Sequence, residues 1–342
     1  MAFVVLWWSF FFTEPTQLPQ LPTAPKKEGV FQKNPLPRKV LIQALQGDFS
    51  LVASLILQWD MEAQAEQKNR LEAEKVLRAQ FLAHSIVTRP EIATIKILPQ
   101  TYVAAGILLA IASPQQLVAL PRGLREQTEL YPPYLTNQIP LDIDHYTTEK
   151  LFLAHPDIAL VSSHYTHPAA LQALSNQGVP AILSPYCKNS RDIAQEIGAI
   201  GKLIGRNEEA ELLQLFMEAA FLKLDQEPKT KEKTLFLSYY DHFYFPKDSN
   251  ITGEIVKRAG IPLPETSPLA LKEKLLEWAP ERLIIAVPTG LNLLPFLEKD
   301  PGYAQLQAVR TKNVYLIDDG ILQTPTHFSI LAYYDLIQAL RP

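Results

Sequence analysis

NEEAELLQLFMEAAFLKLD, residues Asn207–Asp225, is the stretch whose reading decides the fold. Its apolar residues Leu212, Leu213, Leu215, Phe216, Met217, Ala219, Ala220, Phe221, Leu222 and Leu224 surround nearly the whole circumference of a helix. Gln214, Glu218 and Asp225 fall on one narrow polar stripe. Asn207 suits an N-cap, Glu208, Glu209 and Glu211 complement the positive end of the helix dipole, and Lys223 complements the negative end. Neither glycine nor proline interrupts the run, so a continuous helix about 28 Å long is expected at about 1.5 Å per residue. A surface this apolar must be buried on several sides, as in a strut between two bodies.

Working outward, short strands alternate with helices on both sides of that strut. Before it come strands at Thr94–Leu98, Gln116–Leu120, Ile158–Ser162 and Ala181–Leu183, with helices at Tyr102–Ala112 and Arg191–Leu203. After it come strands at Thr234–Leu237, Leu283–Val287 and Val314–Ile317, and a last helix at Phe328–Leu340. The fold class is α/β: two Rossmann-like lobes, residues 90–206 and 226–342, joined by one long interlobe helix, residues 207–225. An internal repeat supports the division. TEKLFLAHPDIALV (Thr148–Val161) superposes without gaps on KEKLLEWAPERLII (Lys272–Ile285), pairing Glu149 with Glu273 and Pro156 with Pro280. Each copy reads as a helix, a proline turn and a buried strand, which points to duplication of one lobe.

Upstream of the lobes the texture differs. Residues 1–37 combine an apolar start, MAFVVLWWSFFF, with a linker stiffened by Pro15, Pro19, Pro22, Pro25, Pro35 and Pro37. That start is shorter than the roughly 20 apolar residues of a membrane span and resembles the apolar core of an export signal, without a basic head or a small-residue cleavage site. Residues 38–89 read as an extra N-terminal helical segment. Gly47-Asp48 breaks it, and Leu71, Leu77 and Phe81 are expected to be the sparse apolar contacts of its later part.

Composition narrows the function. The net charge of −4 on a chain of 342 residues argues against a nucleic-acid partner held by a basic face. A single cysteine, Cys187, rules out an intrachain disulfide and any cysteine-rich zinc site. No dinucleotide fingerprint, phosphate loop, nucleophile elbow or zinc-protease motif occurs, so no catalytic residue and no resident cofactor is indicated. GAIGKLIG (Gly198–Gly205) has the wrong spacing for a phosphate loop and reads as helix.

In open α/β sheets ligands sit beyond the carboxyl ends of the strands. Those positions carry Gln100, Thr101 and Tyr102; Arg122 and Arg125, then Tyr131-Pro132-Pro133-Tyr134; and His164, Tyr165 and His167. In the second lobe they carry Tyr239, Tyr240, His242 and Tyr244; Thr289, Gly290 and Asn292; and Asp318, Asp319 and His327. Aromatic rings with polar tips grip a large flat ligand at low entropy cost, and tyrosine and histidine also bind iron. Tyr102, Arg122, Tyr131, Tyr134, His164, Tyr165, Tyr239, Tyr240, His242 and Tyr244 are therefore the candidate ligand residues.

From about Ala93 onward, TEKLFLAHPDIALVSS, GVPAIL, DIAQEIGAIGKLIGRNEEAELL, KEKLLEWAPERLIIAV and YAQLQAVRTKNVYLID, in that order, resemble the periplasmic substrate-binding proteins of ABC importers for iron chelates, haem and vitamin B12. The resemblance implies a ligand of that kind (a siderophore, haem or cobalamin) held between the lobes, on the periplasmic or outer face of the cytoplasmic membrane. It also implies an ABC permease dimer as partner, docked by one glutamate of each lobe; the matching positions are Glu149 and Glu273. Tyr131-Pro132-Pro133 resembles the ligand loop of the vitamin B12 binder, whereas Trp59 and Trp278 fall on helices and match none of its cleft tryptophans. Two alternatives stay open. One is capture of a bare manganese, zinc or iron ion by His164, His242 and nearby acids; the other is an enzyme or cofactor chaperone on the same fold.

Overall fold

A computed structural model describes residues 36–88, 95–143, 155–162, 168–264 and 272–342. The apolar start and the proline-rich linker up to residue 35 lie outside the described residues. Among the described residues no helix is long and apolar enough to cross a membrane.

Among the described residues the first lobe has five short parallel strands: β1 (Ile97–Pro99), β2 (Ala119–Pro121), β3 (Leu141–Ile143), β4 (Ile158–Ser162) and β5 (Ala181–Ser184). β4 lies between β1 and β5, β2 pairs with β3, and a single parallel bridge from Ile97 to Leu117 joins the two groups. The resulting order, 5-4-1-2-3, reverses direction between β1 and β4, a point where doubly wound sheets open a crevice. In the second lobe β6 (Thr234–Tyr239), β8 (Arg282–Val287) and β9 (Val314–Asp318) run parallel, and the two-residue strand β7 (Phe243–Tyr244) returns antiparallel along β6. Leu235, Leu237, Leu283 and Ile285 lie in that lobe's core with Phe243 and Phe245.

The repeat is geometric as well as textual. His155 and Ala279, equivalent in the two copies, both adopt a left-handed backbone, with φ of 43° and 44°. In the first lobe the Lys96 N–H donates to the Asp157 carboxylate at 2.7 Å, and in the second the Lys233 N–H donates to Glu281 at 2.8 Å. Asp157 N–H returns a bond to Lys96 O at 2.8 Å, as Glu281 N–H does to Lys233 O at 2.9 Å. Strand registers agree too: Ile97 faces Ile158 as Thr234 faces Arg282, and Ala159 faces Ala181 as Leu283 faces Val314. One turn–strand device, with an acidic residue clamping the start of the preceding strand, therefore recurs in both lobes.

The long helix spans Asn207–Asp225 as its pattern requires. Its cap differs from expectation. Arg206 occupies the N-cap position without a side-chain cap, and its guanidinium pairs with the buried Glu209 at 3.1 Å. At this end it packs on the helix Ser190–Leu203, which takes in the GAIGKLIG stretch as far as Leu203. The close approach explains Gly201, since a Cβ there would lie 2.3 Å from that of Ala210. Gln214 Nε2 donates to Ala194 O at 2.6 Å. At the other end the Arg258 guanidinium grips Asp225 at 2.8 and 2.7 Å, the Tyr333 hydroxyl donates to the same carboxylate at 2.8 Å, and Arg258 stacks 4.6 Å over the Phe221 ring. Each end thus belongs to a different lobe.

A third body covers the middle of this bridging helix. Helices α1 (Arg38–Leu45), α2 (Phe49–Ala65) and α3 (Ala73–Thr88) form the N-terminal segment. Trp59 of α2 stacks on Phe216 with ring centres 5.5 Å apart. From α3, Lys75 pairs with Glu218 at 2.8 Å and Arg78 with Glu211 at 2.6 Å. The break at Gly47-Asp48 falls as expected, with Gly47 at φ 92° and Asp48 capping α2. A second break at Glu66–Glu72, with Gln67 at φ 54°, is marked by no glycine and divides the later helix. Leu71 is buried as expected, but Leu77 and Phe81 are 67% and 60% exposed because α3 contacts its neighbours through Val76, Ala79, Leu82 and Ala83 instead.

Candidate functional site

The carboxyl edge of the first sheet is set by β1, β2, β4 and β5. Gln100 leaves β1 fully buried, and its Oε1 accepts the Ser162 N–H of β4 at 3.1 Å, tying together the two strands of the reversal point. Thr101 then caps the helix Tyr102–Ile111, its hydroxyl accepting from Ala104 N–H at 3.1 Å. That cap directs Tyr102 across the loop after β2, where its hydroxyl donates to the carbonyl of exposed Arg122. Burial, and secondarily Glu126, holds the Tyr102 phenol above its ordinary range. Gly123, with φ 87°, leaves room for this ring, because a Cβ there would lie 2.7 Å from the phenol oxygen. Tyr102 and Arg122 therefore share one end of this lobe.

The neighbouring candidates behave differently. Arg125 is tied to its own loop, pairing with Asp142 at 2.7 Å and donating to the carbonyl oxygens of Thr136 and Ile139. Tyr131 is 2% exposed, edge-on to Phe328 at 5.5 Å and facing Gly106, and burial alone raises its phenol well above the usual range. In this conformation it is a core residue, out of reach of a ligand at the sheet edge. Tyr134 is exposed, yet its hydroxyl donates to Gln46 at 2.8 Å, on the N-terminal segment. His164, Tyr165, His167 and Glu149 lie outside the described residues.

In the second lobe the strand end is the tight hairpin β6–β7, whose connecting residues Tyr240, Asp241 and His242 are exposed while Phe243 turns into the core. Tyr239 packs partly into the core against Phe243, ring centres 5.0 Å apart. Tyr240 is 46% exposed and lies 5.9 Å from the Tyr244 ring. The Tyr244 hydroxyl donates to Asp241 at 2.9 Å, a bond that raises the phenol's pKa and lowers the carboxyl's. His242 is exposed at the tip, its ring nitrogen 3.9 Å from Asp241. Tyr240, Asp241, His242 and Tyr244 thus form one accessible cluster with ring faces, phenol oxygens, an imidazole and a carboxylate. Beyond β8, Thr289 donates to Asp318 at 3.0 Å, while Asp318 accepts Gly320 N–H at 2.7 Å as a helix cap. His327, read from the sequence as a strand-end residue, is instead fully buried against α1. Among the described residues no three His, Cys, Asp or Glu side chains converge so as to hold a metal ion.

One exposed ring escaped the sequence reading. Tyr186, 51% exposed, follows the carboxyl end of β5. The strand-end argument could have found it, had it been carried to Ala181–Leu183 as it was to the other strands.

Comparison with known proteins follows the same division of the chain. Residues 104–320 match the model of a family described as periplasmic binding protein. No curated protein sequence matches the chain. Among solved structures, a candidate iron-binding (periplasmic solute-binding) protein of Staphylococcus epidermidis superposes with a TM-score of 0.62 at 16% identity, over 73% of this chain and 100% of its own. The periplasmic haem-binding protein HutB of Vibrio cholerae gives 0.61 at 19% identity, over 72% and 99%. The periplasmic haem-binding protein RhuT of Roseiflexus, in its apo form, gives 0.58 at 20% identity, over 72% and 98%. These likenesses concern the fold.

Proposed function

The chain belongs to the periplasmic binding protein family, and from that membership we propose that it captures an iron chelate, haem or a corrinoid between its lobes and delivers it to an ABC permease. The family implies an extracytoplasmic location and a solute-binding role alongside a membrane permease. One observation carries the choice of ligand class: the exposed cluster of Tyr240, Asp241, His242 and Tyr244 at a strand end of the second lobe, with Tyr102 and Arg122 at a strand end of the first. Two neighbouring rings offer a face to a planar macrocycle, and phenol or imidazole can complete the coordination of a ferric ion. Arg122 suits the negative charge of a propionate or a chelate.

Titrating the purified protein with haemin, a ferric hydroxamate chelate and cobalamin, followed by intrinsic fluorescence, tests this reading. At least one should quench. Tyr240→Ala or Tyr244→Ala should weaken that ligand by about 1 kcal/mol or more, near fivefold in Kd. Quenching by none of the three would overturn the proposed ligand class, and unchanged affinity in both variants would place the site elsewhere.

Docking rests on the repeat. Glu273 is exposed in the first turn of the helix Lys272–Trp278, and Glu149 is its equivalent in the other copy. Glu149→Lys combined with Glu273→Lys should abolish uptake in cells and leave ligand affinity unchanged. Transport surviving both reversals would make these carboxylates ordinary surface charge.

A further inference from the structure

We propose that the N-terminal helices brace the two lobes and fix the angle between them. The inference rests on the two-lobed reading above but concerns residues 38–88, which precede the stretch matched by the family model. Three sets of contacts carry it.

First, α1 and the turn after it hold both lobes at once. Arg38 donates to Asp335 of the second lobe at 2.9 and 3.1 Å and also pairs with Glu129 of the first. Leu45 O bonds the ring of His327, in the second lobe, at 2.8 Å. One residue on, Gln46 donates to the carbonyl oxygens of Glu129 and Leu130 at 3.2 and 3.0 Å and accepts from Tyr134, all in the first lobe. Gly47 follows at φ 92°, pressed so tightly on the first lobe that a Cβ would meet Ala110 O at 2.2 Å. Any rotation of one lobe against the other must break one of these sets.

Second, α2 and α3 splint the connecting helix along its length. Ser85 reaches Glu208, Arg78 reaches Glu211, Lys75 reaches Glu218, and Glu62 reaches Lys223. Those four positions run from the first turn of the bridging helix to its last. Third, the lobes touch directly beside the hinge. The N–H of Ser190, opening the helix Ser190–Leu203, donates to Glu254 of the second lobe at 2.7 Å, and the Ser190 hydroxyl donates to the same carboxylate. Hinge motion needs a few residues free to change φ and ψ. Here the residues around the hinge are held from both lobes and from the segment laid over them.

The test is a distance measured between spin labels on Ser175→Cys in the first lobe and Glu298→Cys in the second, both exposed positions. The native Cys187 is buried and leaves the two labels unambiguous. Ligand-free protein should give a single narrow distance, and haemin should not shift it. In an otherwise folded Arg38→Ala/Gln46→Ala/Arg78→Ala variant the distribution should broaden about twofold as hinge freedom returns. A broad or two-peaked distribution in the unmodified brace, or a shift on adding haemin, would overturn the proposal, as would a triple variant that stays as narrow as its parent. Should the triple variant fail to fold, Gln46→Ala alone gives the same readings. Absence of haemin binding in the fluorescence titration would count against the ligand class only, because the ligand-free distribution already decides the brace.

Discussion

Replacing Phe216 by alanine is expected to cost about 3–5 kcal/mol of stability, the range for emptying a fully buried aromatic site. Phe216 sits at the midpoint of the bridging helix, is 0% exposed, and stacks nearly parallel on Trp59 of α2. Its loss opens a cavity where the two layers meet, and neither helix is free to collapse into it. The contrast with the ion pairs at the same interface is instructive. Lys75–Glu218 and Arg78–Glu211 are a third to nearly half exposed, so each contributes at most about 1 kcal/mol. Urea unfolding of Phe216→Ala beside Lys75→Ala should show a large loss for the first and a small one for the second. Equal effects would mean that charge, and not burial, holds the N-terminal helices on.

The second large effect is on acid stability and runs through His327. Complete burial depresses its pKa from 6.5 to about 4, against a smaller opposing contribution from the bond to Leu45 O. A histidine depressed in the folded state takes up its proton first when unfolded. Its stabilising contribution is therefore complete above pH 6.5 and is lost as pH falls toward about 4. Over the whole window the loss approaches about 3 kcal/mol, of which about 2 has gone by pH 5. Comparing wild type with His327→Gln between pH 6.5 and 5 isolates it, since ordinary carboxylates titrate mostly lower. The variant should be less stable at neutral pH yet lose less on acidification; parallel curves would show that His327 keeps its ordinary pKa.

The sequence was most legible where burial was most complete. The bridging helix begins and ends where its pattern says, and the strands of the second lobe follow from unbroken apolar runs, LIIAV above all. The first lobe was harder. Its strands are three to five residues long, so β1 was placed too early, ending short of Pro99, and β3 (Leu141–Ile143) passed unnoticed. The break between α2 and α3 was invisible because Gln67 takes a left-handed conformation with no glycine to announce it. Side-chain direction was the least legible of all. Of the Tyr131–Tyr134 loop, one ring is in the core and the other bonds to the N-terminal segment, and nothing local distinguishes them from Tyr240 and Tyr244. The role of the α1–α3 segment was not legible locally because it lies in contacts with residues 80 to 300 positions away.

The duplicated lobes share a joint and a register but not an outline. In the first lobe the chain winds back past β1 to add β2 and β3, whereas in the second it stops at β9 and closes the far side of β6 with the short returning strand β7. On the proposed function, a molecule lying between them would meet unlike partners: Arg122 and Tyr102 from one lobe, a projecting hairpin of rings and a carboxylate from the other. Such a pair has no two-fold character left. Even a ligand with two interchangeable faces would have only one preferred way round.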